Sequence, residues 1–261
     1  MSTLPLHRLF YHYSELPLSL RVLYTCSLII LGCGYMFALI YVYHTYAGRD
    51  GDPSMLSYQD IVLAYRGSGQ GSRLEAALRG PMSTMLPRDE IGPLVKWVQE
   101  GANRNSYEKE IKPILEKRCL TCHDGSNPHL ANLAGYDNLK KVTEVDTGTD
   151  IFTLVRVSHI HLFGLTFVFF VVGTIFSHAY VRPVWLKAAI VATPFVGIFL
   201  DISAWYITKV TAWFGWVVII SGGIMGLCFA FMWVVSMYQM WFSPTPAAVI
   251  ERMGRDTHTV E

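Results

Sequence analysis

Four long apolar runs and one long polar stretch set the pattern of this chain. The apolar runs cover about Val22–Tyr43, Val157–Phe176, Val184–Ile207 and Trp213–Phe242. Each is long enough for a helix crossing about 30 Å of hydrocarbon, which takes roughly 20 residues. The last is long enough to tilt or to emerge from the bilayer. The polar stretch changes period. In Tyr107–Arg118, YEKEIKPILEKR, residues Ile111, Ile114 and Leu115 fall on one side, which predicts an amphipathic helix. The expected division is a tail over 1–21, a first membrane helix over 22–46 and a polar domain over 47–150. A three-helix membrane domain over 151–242 and a tail over 243–261 complete the chain. The fold class expected is mainly α: four transmembrane helices, with a small all-α domain inserted between the first two.

Composition agrees with a membrane chain, since only 16% of residues are charged against about 25% in average proteins. A net charge of +1 gives no reason to expect nucleic acid as a partner. Most Lys and Arg lie between Arg49 and Lys141, as expected for a polar domain among membrane segments. The short flanks predict orientation. Arg8 and Arg21, Arg182 and Lys187, and Arg252 and Arg255 fall on one side; Arg156 and Lys209 fall on the other. The bias puts both termini in the cytoplasm and the polar domain outside it. No A-x-A site comes after the first run, so that run is expected to stay as an anchor.

Within the polar domain, Cys119-Leu120-Thr121-Cys122-His123 forms a C-x-x-C-H. A zinc site would want two more ligands at comparable spacing, and no second C-x-x-C exists. A thioredoxin-like pair would want a βαβ setting. The adjacent His decides for covalent c-type haem: two thiols one helical turn apart can add to the haem vinyls, and the next residue then lies under the iron. Cys26, Cys33 and Cys228 lie in apolar runs and are most simply small buried residues. No Met comes after His123 within the polar domain, so the second iron ligand must come from elsewhere. His129, six residues on, is a weak candidate because the intervening residues form a turn on the proximal side.

The segment from Tyr107 into the motif resembles the first helix of small bacterial c-type cytochromes, and ANLAGYDNLKKV resembles the next segment of that family. Ser72–Ala102, SRLEAALRGPMSTMLPRDEIGPLVKWVQEGA, resembles the closing part of the same cytochromes, through Leu86, Asp89-Glu90-Ile91, Trp97 and Gly101-Ala102. The chain therefore reads second half first, as in a circular permutation, which is tolerable where a domain's ends lie close together. The resemblance implies one covalent haem c on Cys119 and Cys122, with His123 as proximal ligand. It implies Met82 as distal ligand, with Met85 as the alternative.

The membrane runs carry their own ionisable residues. His159 and His161 open the second run, Asp201 lies near the end of the third, and His44 ends the first, all towards the polar domain. Such groups are costly in hydrocarbon and mark sites by default. Residues i and i+2 of a helix point about 200° apart, so His159 and His161 do not share a face. These four residues are candidates for a second metal (copper), a haem b or a quinone site; polar packing explains them equally well. SHIHLFGL loosely resembles helices of haem–copper oxidase relatives. Arg156–Phe242 resembles a set of proteobacterial membrane proteins with similar HIHLFGL, SHAYVRPVW and FMWVVSMYQMWF segments. Trp205, Tyr206, Trp213, Trp216, Tyr238 and Trp241 read as interfacial anchors, and Ser221–Gly226, SGGIMG, invites close helix packing.

Together these features imply a multi-pass protein of the bacterial inner membrane with its haem domain in the periplasm. It would carry electrons between a membrane donor, such as quinol, and a periplasmic cytochrome or redox enzyme, alongside other membrane subunits. The sequence leaves open whether the chain is itself an enzyme. A membrane oxidoreductase with a second metal or haem b is one alternative, and a haem-based sensor or assembly subunit is another.

Overall fold

The computed structural model describes residues 11–251 apart from Pro53, Gln70, Pro81, Pro128 and His129. The expected tails at 1–21 and 243–261 lie partly outside them, as do Arg8, Arg252 and Arg255. The fold is mainly helical, as expected, and no strand forms among the described residues. Four helices there are long and apolar enough to cross a membrane: α1 (Leu18–Tyr46), α8 (Ile151–Phe176), α9 (Val184–Thr208) and α10 (Gly215–Trp241), the last preceded by a 3₁₀ turn at Ala212–Phe214. Among the described residues between α1 and α8 lie the short helices α2 (Tyr58–Arg66), α3 (Arg73–Arg79), α4 (Arg88–Gln99), α5 (Arg104–Ser106), α6 (Lys112–Arg118) and α7 (Tyr136–Lys141). α1 and α8 begin earlier than the apolar runs that announced them, because helix continues as long as each amide finds a carbonyl four residues back, whatever the side chain.

The chain divides into two compact units. The first comprises Met1–Ala38, Arg156–Ser203 and Val217–Glu261. In it α10 touches each of the other long helices. Trp233 Nε1 donates to the Leu28 carbonyl at 2.7 Å, and Tyr35 stacks on Phe229 with ring centres 4.4 Å apart. Gly197 of α9 lies against Met225, where a Cβ would stand 2.8 Å from Cγ. Phe169 and Phe176 of α8 meet Phe229 and Phe231 edge-on. Of the SGGIMG stretch, Gly226 is approached by the Tyr35 hydroxyl, whereas a Cβ on Gly222 or Gly223 would meet nothing within 4 Å. Close packing there depends on one glycine.

The second unit comprises Leu39–Val155 and Ala204–Trp216. One hydrophobic core holds most of its helices. Leu74, Leu78, Leu86, Leu94, Trp97 and Ala102 from the first half of the polar stretch pack with Tyr107, Ile111, Leu115, Leu133 and Leu139 from the second. α4 ends in a turn that explains the Gly101-Ala102 pair. Gly101 takes a φ of 88°, its N–H reaches the Val98 carbonyl and the Ala102 N–H the Trp97 carbonyl, a left-handed closure that glycine makes cheaply. Tyr136 then donates to the Ala102 carbonyl at 3.0 Å, tying the second half to the first. The amphipathic helix expected over Tyr107–Arg118 is present, but Tyr107–Ile111 is a widened π turn. Pro113 has no N–H to close an ordinary turn behind it, and the ladder widens just ahead of it.

Where the chain enters and leaves this core, its two arms are zipped together. Arg73 and Leu74 N–H bond the Glu144 and Val142 carbonyls, Asp146 N–H bonds the Gly71 carbonyl, and Thr149 N–H bonds the Ala64 carbonyl. Ser72 and Val145 form an isolated antiparallel bridge. A Cβ on Gly67 or Gly148 would stand 2.3 Å from the opposing backbone, and both residues have positive φ, so these two glycines are what allow the arms to cross.

Candidate functional site

The Cys119–His123 segment continues α6 by one turn. Cys119 N–H bonds the Leu115 carbonyl at 2.8 Å, and His123 N–H bonds the Cys119 carbonyl at 2.8 Å. Both thiols and the imidazole thus belong to one local helical turn, the spacing that made the motif legible. Cys119 is half-buried and packs on the shared core with Leu120, and burial, with a smaller push from Glu90, raises its pKa. Cys122 is exposed.

His123 is oriented from behind. Its Nδ1 lies 2.7 Å from the Ala131 carbonyl, and a carbonyl can only accept, so Nδ1 carries the proton and the neutral ring keeps its lone pair on Nε2. That tautomer, fixed by a backbone acceptor, is what a metal-ligating imidazole needs. The loop from His123 to Leu133 delivers the acceptor: Leu133 N–H returns to the His123 carbonyl at 2.9 Å. Gly125, with φ +93°, leaves room for the Asn132 side chain, which would stand 2.6 Å from a Cβ there.

The distal candidates differ. Met82 is half-buried and its N–H is held by the Ala77 carbonyl at 2.9 Å. It lies between Leu78 and Leu86, both members of the core that also receives Cys119. Met85 is 64% exposed. Met82 is thus the more buried of the two. His129 lies outside the described residues. Another contact spans the halves beside the motif: the Arg118 guanidinium donates to both Glu90 oxygens, at 2.8 and 3.1 Å, and holds the Glu90 carboxyl below the usual carboxylate range.

The membrane residues differ in burial. His159 is exposed and His161 half-buried, in keeping with opposed faces; His161 Nδ1 lies 2.9 Å from the Val157 carbonyl of its own helix. Asp201 is buried and accepts a bond from Ser221 Oγ at 3.2 Å. His44 is exposed, edge-on to Tyr43. No group of three or more His, Cys, Asp or Glu residues able to hold a metal ion occurs among the described residues.

Several residues beyond the expected set shape this unit. Lys209 Nζ donates to three carbonyls, Tyr65 at 2.9 Å, Thr147 at 3.0 Å and Thr149 at 2.7 Å, so one lysine from the α9–α10 connection caps both crossing arms. Burial lowers its pKa, against the attraction of Asp150 and Asp146. α2 lies against the ends of α9 and α10 that flank this connection: Tyr58 stacks on Trp216 and Tyr65 on Trp205, with ring centres 4.8 and 5.8 Å apart. Trp205, expected as an interfacial anchor, is buried in that stack. The S-x-x-D capping box Ser57–Asp60 that starts α2 was the available sequence signal for it.

Four helices among the described residues are long and apolar enough to cross a membrane, which defines a membrane protein. Residues 149–247 match the model of a family described as a transmembrane helical domain. No curated protein and no solved structure matches the chain.

Proposed function

We propose that the polar unit is a permuted mono-haem cytochrome c and that the chain is a membrane-bound electron carrier. In this reading Cys119 and Cys122 bind the haem, His123 is the proximal ligand and Met82 the distal one. The observation that carries it is the 2.7 Å contact from His123 Nδ1 to the Ala131 carbonyl, which leaves Nε2 as a ligand on the residue directly after the two thiols. The single core built from both halves supports it, because a permuted domain must close from segments in reversed order. The zipped arms at 67–74 and 142–149 bring the unit's entry and exit together, as expected where a permutation opens a connection of the parent domain.

A bound haem supplies a one-electron iron couple. The protein's part is to fix imidazole tautomer and orientation through Ala131, to present a half-buried thioether at Met82, and to hold the unit through Lys209. Thioether ligation raises the potential relative to two imidazoles, which suits an acceptor of electrons from a membrane donor such as quinol. The next carrier is then a periplasmic cytochrome or redox enzyme, in the bacterial inner membrane with both termini cytoplasmic. Asp201, buried on Ser221, is the group assigned to proton handling on the membrane side.

A pyridine haemochrome spectrum with metal analysis of the purified chain tests this. One covalent haem c per chain is expected. A chain without covalent haem removes the reading, and a stoichiometric haem b or copper besides haem c shifts it towards an oxidoreductase using the membrane histidines.

A further inference from the structure

α9 and α10 leave a groove of about 360 Å³ between them, a size that takes a ring with part of a chain. Its rim is apolar and exposed, with Val196 and Leu200 on α9 and Ile220 and Ile224 on α10. Along α9 it runs from Leu200 to Ala189, about 16 Å at the helical rise. Two hydroxyl residues line it, Thr193 and Ser221. Thr193 spends its hydroxyl on the Ala189 carbonyl of its own helix, at 2.8 Å. Ser221 is 4% exposed and forms the polar end of an otherwise apolar slot.

Ser221 has one O–H and three acceptors within reach. The Val217 and Val218 carbonyls lie at 2.6 and 3.2 Å, and Asp201 Oδ1 lies at 3.2 Å. A hydroxyl gives one proton and keeps two lone pairs. Ser221 can therefore accept from a molecule in the groove while it donates to Asp201, which is itself buried and does not line the groove. Ser221 lies six residues past the start of α10 and Asp201 seven before the end of α9, so both are about 9–10 Å inside their helices. A ligand reaches that depth through lipid. Buried polar groups in hydrocarbon mark sites. A lipid acyl chain fills the apolar length but brings no donor to Ser221. A quinol brings both, a hydroxylated ring on an apolar chain.

We propose that this groove binds a membrane quinol. A ring hydroxyl donates to Ser221 Oγ, the Ser221 O–H turns to Asp201, and the tail lies along α9 towards Ala189. This deepens the electron-carrier reading, on which the choice of quinol rests, by giving the donor a place.

The experiment uses the full chain in detergent, as wild type, Ser221→Ala and Ala192→Phe. A molecule that binds only the folded chain raises its unfolding temperature as its concentration rises, so the chain's own Trp fluorescence on heating reports binding. Decylubiquinol should stabilise the wild type, and decylbenzene, with ring and chain but no hydroxyl, should do so far less. Ser221→Ala should weaken decylubiquinol roughly tenfold, the size of one lost hydrogen bond. Ala192→Phe, at an exposed position of the lining, should fill the groove and abolish the effect. Equal stabilisation of the wild type by decylbenzene overturns the proposal and leaves an apolar slot for lipid chains; this comparison needs no variant. Unchanged decylubiquinol binding in Ala192→Phe also overturns it, and a changed oligomer size in that variant would then assign the groove to a contact between chains. Binding is read without reference to haem. Decylubiquinol binding to a chain without covalent haem keeps this site while the electron-carrier reading falls, and covalent haem without decylubiquinol binding does the reverse.

Discussion

The long helices and the polar unit differ in what they leave outside. In α1 and α8 large apolar residues face outward: Phe37 is 71% exposed and Phe167 65%. In the polar unit the equivalent residues are inside, with Ile111 and Leu115 at 0% and 1%. Besides an apolar core that includes Phe169, Phe176 and Met232, the membrane helices bury Ser158, Asp201, Ser221 and Ser236. The difference arises from the solvent. Hydrocarbon gives no reason to hide Phe37 but a strong reason to satisfy every polar group within the protein. Water drives Leu115 inward, at about 1.5–3 kcal/mol for a fully buried aliphatic side chain.

The largest test concerns what the polar unit is for. Replacing both Cys119 and Cys122 by Ala should abolish covalent haem on a haem-stained gel while the membrane helices still insert. Met82→Ala should lower the midpoint potential of the remaining haem, and Met85→Ala should leave it near wild type. The reverse result would exchange the two ligands.

A matched pair of truncations sharpens the contrast of solvents. Leu115→Ala opens a cavity in the shared core and should cost about 2–5 kcal/mol of the polar unit's stability. Phe37→Ala should cost less than about 0.5 kcal/mol, because lipid replaces what the ring touched. Chemical denaturation in detergent, followed by Trp fluorescence, measures both. Equal costs would mean that α1 is covered by protein in the membrane.

Lys209→Met sits between these in size. It takes a donor from the Tyr65, Thr147 and Thr149 carbonyls and should cost about 1–3 kcal/mol. Limited proteolysis should then cut faster near 67–71 and 146–149, where the arms cross. Unchanged cleavage would mean that the zipped backbone bonds suffice without the lysine.

Glu90→Gln should have the smallest effect. The Glu90 pKa is lowered in the fold by the Arg118 fork, so its contribution is present above the unfolded carboxylate pKa and is lost as pH falls through the lower folded value. At neutral pH the variant should be slightly less stable than wild type, and below that folded value the two should converge. Denaturation midpoints across acid pH check this, and parallel curves would remove Glu90 from the acid response.

Much was legible because it is local. Long apolar runs announce membrane helices through length alone, and C-x-x-C-H announces itself through one helical turn. Trp97 and Gly101-Ala102 were visible as a signature, although their reason, a left-handed helix closure tied to Tyr136, was not. Other features depend on residues far apart in the chain. Lys209 looked like one charge in a short connection, yet it caps carbonyls at Tyr65, Thr147 and Thr149. Arg49 carried no motif, and only the fold sets it over Tyr46 and against Gly80. Met82 and Met85 are three residues apart and chemically alike, so burial alone separates them. The sequence determined the helices, the solvent each region faces and the thiol–imidazole turn, because these depend on neighbours along the chain. The tertiary structure decided which distant residues meet, because closure of the core and crossing of the arms are set by packing between segments that no local pattern records.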